Sequence, residues 1–170
     1  MLKNSEAIPL SIFVVYTRFI DSPIIENWKY PFLVSGLAAL IVIISVLRRK
    51  IIFDRILLGV NLYLISGALA FITHKWWLYN LYYQLQASGM IVWIIATGIV
   101  TVSLNSKGFI GVDSSDINSI KKYSGYLLLI CVFAFAFSFW LRTNILLSGF
   151  LPFTCLFLVQ KSFKDTCLRK

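Results

Sequence analysis

The chain has 170 residues, 59% hydrophobic and 14% charged, with mean hydropathy +0.82 and net charge +9. A soluble domain has roughly 45–50% apolar and about 25% charged residues, and no polar stretch here is long enough to bury a core of its own. A soluble enzyme is thereby excluded. Nucleic acid is excluded as a partner too, because no basic soluble face is interleaved with base-stacking aromatics.

The apolar runs recur along the whole length, each close to the ~20 residues that cross ~30 Å of hydrocarbon. They are continuous rather than alternating, so they read as helices and not as barrel strands. The sequence therefore predicts an all-α polytopic transmembrane helix bundle, one membrane domain over 1–170. About six spans are expected, or five if the first segment is only interfacial.

The first span, 8–20, is short and carries Arg18. The second, 31–47, is entered through Trp28 and Tyr30 and closed by "RRK". The third is 56–73. The fourth, 78–104, has its apolar core at 87–104. A loop, 105–123, follows; its Gly108 and Gly111 flank Phe109 and Ile110 in a turn that dips these two side chains back to the membrane. Within it "SSDINSIKK" reads as a short amphipathic segment capped by Ser or Asp. The fifth span is 124–141. The sixth is 145–160, kinked by Pro152.

Charge orients these spans. With the amino terminus inside, twelve basic residues fall on the inner side, among them Arg48, Arg49, Lys50 and Arg55. Four remain on the outer side: Arg18, Lys29, Lys75 and Arg142. By the positive-inside rule both termini are cytoplasmic. The apolar stretch at the start is not expected to be a cleaved signal peptide, since it contains Arg18 and no small-residue cleavage site follows.

The only histidine lies in "THKWWLYNLYYQLQ", 73–86. Trp76, Trp77, Tyr79, Tyr82 and Tyr83 suit a membrane–water interface, where a ring can sit among headgroups while its N–H or O–H stays wet. Asn80 and Gln84 are four apart and share a helix face. If the fourth helix starts near Trp77, Gln84 is two turns into the membrane and needs an interhelical partner. Asn61, about one turn inside the third span, is a third candidate interhelical amide. Arg18 and Asp21, three apart, read as an interfacial ion pair. No second His, Cys or carboxylate stands at metal-ligand spacing from His74.

Small residues mark expected close approaches between helices: Ser35 with Ala39, Ser66 with Ala70, and Ala134 with Ser138, the first two beside Gly36 and Gly67. Cys131, Cys155 and Cys167 form no CxxC and read as small hydrophobes or a tail thiol. The chain carries no Ser/His/Asp set, no HExxH, no paired carboxylates within one span and no internal repeat. No catalytic, cofactor-binding or metal residue is therefore assigned.

"IPLSIFVVYTRF" resembles the "LPL…F…YK" opening of the intracellular septation protein A family, small bacterial inner-membrane proteins. "RRK" after the second span and "SGALAFITH" closing the third fall where that family has a basic turn and a "GGLTL" stretch. The resemblance covers about the first 75 residues. It breaks at "ALAF", where the family's Thr-Leu is absent, and the carboxyl-terminal half matches poorly. It implies a non-catalytic protein of the bacterial inner membrane, working in envelope maintenance or septation through other membrane proteins, and it offers no catalytic residues. Expected partners are the lipid bilayer and other membrane proteins, with a homo-oligomer left open. Two alternatives stand beside this reading. One is a small transporter or channel lined by Asn61, Asn80 and Gln84; the other is a membrane enzyme acting on lipid or quinone.

The basic count makes a direct prediction. In a cysteine-free background, Ser106→Cys is shielded from an impermeant thiol reagent in whole cells while Lys75→Cys reacts. Reversed labelling overturns the orientation.

Overall fold

The computed structural model describes residues 2–19, 25–49, 53–104, 107–112, 116–141 and 146–168. Every regular element among them is helical. A 3-10 helix, Leu2–Ala7, leads into α1, Ile8–Arg18. A second 3-10 turn, Ile25–Trp28, leads into α2, Lys29–Arg48. Then come α3 (Arg55–Ile72), α4 (Trp76–Leu85), α5 (Ala87–Leu104), α6 (Ile117–Trp140), a π-helical turn (Leu146–Phe150) and α7 (Leu151–Leu168). Among the described residues α2, α3, α5 and α6 are long and apolar enough to cross a membrane.

Three boundaries differ from those expected, each for a local reason. The stretch 78–104 is two helices, because Gln86 adopts φ 47°. A left-handed residue cannot continue a right-handed helix, so α4 stops and α5 restarts with Gly89 N–H donating to the Gln86 carbonyl at 3.1 Å. Within 105–123, Asp116 caps a helix by accepting from Ser119 N–H at 3.2 Å. Nothing between Ile117 and Ser124 breaks helix, so α6 enters its apolar run already formed. At the far end Pro152 follows directly on the π-helical turn Leu146–Phe150, and α7 continues past 160 to Leu168.

The chain's contacts divide into two compact units: 1–53 with 60–84, and 54–59 with 85–170. In the first, α1 packs on α2. A Cβ on Gly36 would stand 2.7 Å from Ala68 Cβ and 3.0 Å from the Leu64 carbonyl oxygen, so α2 and α3 touch almost backbone to backbone. Ser35 and Ala39 are buried on the same stretch of α2, and the Ser35 hydroxyl is satisfied by the Pro31 carbonyl one turn back. The Phe32 ring lies in the notch left by Gly67, where a Cβ would come within 2.2 Å of the ring.

In the second unit α6 packs on α5 and on α7. Its covered stripe is Ile120, Ser124, Leu127, Cys131 and Ser138, with Ala134 half-buried between the last two. Spacings of three and four keep these on one side of the helix. Gly59, in the first turns of α3, meets the backbone of α5, where a Cβ would stand 2.6 Å from Ile94 Cα. The turn between α5 and α6 folds inward: Phe109 and Ile110 are wholly buried, and both backbone N–H groups point at Ser124 Oγ, at 3.0 and 3.4 Å. Gly108 precedes them with φ 58°, and a Cβ there would clash with the same Oγ.

These notches predict a contrast. Gly67→Ala drives a methyl into the Phe32 ring and is expected to cost about 1–3 kcal/mol, the usual range for overpacking. Gly125→Ala, with nothing within 4 Å of the new Cβ, is expected to be neutral or stabilising by about 0.5–1 kcal/mol. Thermal unfolding in detergent checks both. Equal melting temperatures for the two variants contradict the notch.

Candidate functional site

A buried carboxamide of the first unit sits about 9 Å along α3, six residues past its start. Asn61 is 1% exposed, and its Nδ2 donates to the Glu6 carbonyl oxygen at 3.2 Å. Its Oδ1 has no hydrogen-bond partner among the described residues. Glu6 is itself 3% exposed. The amino-terminal 3-10 helix thus brings the backbone carbonyl of Glu6 to the Asn61 carboxamide. Sequence reasoning found Asn61 and missed Glu6. The signal was present: a lone carboxylate three residues before Pro9, at the mouth of an apolar run. What the sequence lacked was the 3-10 turn that carries Glu6 in toward α3.

An aromatic cluster fills the rest of this unit. The Phe32 ring centroid lies 4.9 Å from Phe13, 5.5 Å from Tyr63 and 5.8 Å from Phe71. Tyr82 closes against Tyr63 edge-on at 5.0 Å, and its hydroxyl shares a 2.6 Å hydrogen bond with Ser66 Oγ. Ser66, half-exposed on α3, therefore works as a polar pin for α4; Ala70 is buried one turn on. Tyr79 packs edge-on against Phe71 at 4.5 Å. Tyr79 and Tyr82 are the inward face of α4.

The outward face of α4 carries the two amides. Asn80 and Gln84, expected to meet another helix, are both exposed here. They share a face, but it is the one opposite the packed tyrosines, and the break at Gln86 stops α4 from running on into a span. Arg18's side chain and Asp21 lie outside the described residues. His74 adopts φ 51° just past α3, and Lys75 N–H donates across it to the Ala70 carbonyl at 3.1 Å. That is a Schellman turn with His74 in the left-handed position, a backbone role for the one histidine.

In the second unit Asp54 serves two elements at once. Its Oδ1 accepts from the N–H groups of Ile56, at 3.0 Å, and Leu57, at 3.5 Å, capping α3. The same oxygen accepts from Gln160 Nε2 at 3.3 Å, and Oδ2 pairs with Lys164 Nζ at 2.7 Å. Asp54 and Lys164 side chains are 23% and 28% exposed, so the ion pair is worth at most about 1 kcal/mol. Its value is registry between the start of α3 and α7. Gln160 and Lys164, one turn apart on α7, both meet Asp54, more than a hundred residues earlier in the chain. Ser138 Oγ, buried, donates to the Ser148 carbonyl at 2.6 Å and ties α6 to the π-helical turn.

Among the described residues no three His, Cys, Asp or Glu side chains group to hold a metal ion. A hollow of about 310 Å3 is lined by Leu158, Lys161, Ser162, Asp165 and Thr166. All five belong to α7, so it is a groove along one helix. What the fold defines, among the described residues, is an all-α protein with four helices long and apolar enough to cross a membrane. The chain matches no family model, no curated protein and no solved structure.

The contrast among the amides is testable. Asn61→Ala is expected to lose about 1–3 kcal/mol, from the broken bond to Glu6 and the void left behind. Asn80→Ala and Gln84→Ala are expected to stay within about 0.5 kcal/mol of the parent. Unfolding midpoints in detergent measure all three; an Asn80 or Gln84 loss matching Asn61 contradicts the placement.

Proposed function

We propose that the protein is an integral membrane protein of the bacterial inner membrane, with both termini cytoplasmic, and that it acts through contact with other membrane proteins rather than by catalysis. The observation that carries this is the surface of α6. Only 22% of its apolar window is buried, against 39–50% in α2, α3 and α5. Tyr126, Leu129, Phe133, Phe137 and Trp140 form one exposed ridge, roughly opposite the covered stripe. Between helices in lipid, dispersion from broad, rigid surfaces is the available attraction. Three further points support the reading. Of the amides suggested for a transport path, Asn61 is buried whereas Asn80 and Gln84 are exposed. The twelve-to-four basic distribution follows the positive-inside rule. The septation-like pattern of the first 75 residues points to the same kind of protein, one working in envelope maintenance or division.

The unpartnered Asn61 Oδ1 favours a second reading, in which a polar solute or proton reaches the buried Asn61–Glu6 pair. Solute uptake into proteoliposomes that Asn61→Ala abolishes would establish it.

Rescue of a strain lacking the protein tests the contact reading, at matched membrane levels. Phe133→Ala with Phe137→Ala is expected to abolish rescue, whereas Asn80→Ala and His74→Ala preserve it. Loss through a single polar substitution, with the α6 variant fully active, contradicts the proposal.

A further inference from the structure

Both ends of α4 are fixed by backbone geometry, and its outward face is chemically mixed. Before it, His74 at φ 51° reverses the chain after α3; beyond it, Gln86 at φ 47° ends the helix. α3 and α5 have 18 residues each, about 27 Å, so either crosses the hydrocarbon without help from α4. Chain continuity then requires that both ends of α4 lie near the bilayer surface on which α3 finishes and α5 begins.

The exposed side chains narrow this further. Asn80 and Gln84 lie at the centre of the outward face, and neither is hydrogen-bonded among the described residues. In acyl chains both amides would lose their hydration for nothing, which forbids that depth. Trp76 and Trp77, 63% and 68% exposed, flank them together with Tyr83 and Leu81. In bulk water these rings would be hydrated at a loss. The one layer that suits amides and indoles together is the headgroup–glycerol zone, where phosphate and ester oxygens accept from N–H while the rings sit against the upper acyl chains.

We propose that α4 is an interfacial helix lying along the bilayer surface, its Asn80/Gln84 face bound to the headgroup and ester oxygens of lipid and its Tyr79/Tyr82 face bound to the first unit. This rests on the membrane reading given above. It assigns the exposed face to lipid and makes α4 the anchor that sets the depth of α3.

Site-directed spin labelling tests it. The full chain, with Cys131, Cys155 and Cys167 replaced by serine, is reconstituted into phosphatidylethanolamine–phosphatidylglycerol vesicles. Trp77→Cys, Asn80→Cys, Leu81→Cys and Gln84→Cys are labelled on α4. Ala96→Cys, exposed at the middle of α5, is the reference. Accessibility to oxygen and to a neutral nickel chelate gives each label's depth. The proposal expects Ala96 at the hydrocarbon centre and all four α4 labels at headgroup depth, with no net trend along the helix. A steady deepening from Trp77 to Gln84, with Ala96 still in hydrocarbon, overturns the proposal and leaves the membrane reading intact. Fully aqueous α4 labels overturn it as well. An aqueous Ala96 overturns the membrane reading itself.

Discussion

The arrangement of this protein depends on how closely two helix backbones can approach. Lipid is as apolar as leucine, so helices in it are held by dispersion and hydrogen bonds, and both fall steeply with distance. Three glycines set that distance. Gly36 brings α2 against the Leu64–Ala68 turn of α3, Gly59 brings the start of α3 against Ile94 of α5, and Gly67 admits the Phe32 ring. Around Phe32 gather Phe13, Tyr63, Phe71 and Tyr82. The aromatic cluster is therefore a consequence of a missing side chain on α3.

The small-residue clusters were legible in the sequence because composition alone marks them. Ser35 and Ala39 are buried as a pair beside Gly36, and Ala70 and Ser138 are buried too. Which member of each cluster makes the closest contact was not legible. Near the second cluster the residue that counts is Gly67, and Ser66 instead turns its hydroxyl to Tyr82. A turn at Phe109 and Ile110 was readable from Gly108 and Gly111, which both adopt positive φ; the expected dip toward the membrane is instead a burial of both side chains within the protein. Its fastening to Ser124 was not, because nothing local links residues fifteen apart.

The misread elements share one cause. Hydropathy reports how far a stretch is apolar and carries no backbone information. Gln86 has no sequence mark of a left-handed residue, since Gly or Asn usually fills that position, so 78–104 looked continuous. Asp116 is an ordinary cap whose helix joined an apolar run with no punctuation between them. Glu6 and Asp54 were hidden by distance along the chain. Each acquires its partner only through the fold: the Glu6 backbone carbonyl meets Asn61, and the Asp54 carboxylate meets Lys164.

The account's central claim is that the outward ridge of α6 meets other proteins within the bilayer. The most direct measurement is photo-crosslinking in living cells, with a photoreactive amino acid placed singly along α6 and, for comparison, at Leu40, Ile41 and Ile44 on the exposed side of α2. The account predicts discrete protein adducts at Leu129, Phe133 and Phe137, none at the covered positions Leu127 and Cys131, and only lipid-sized shifts on α2. Lipid-sized shifts along the whole of α6, indistinguishable from those on α2, would contradict it.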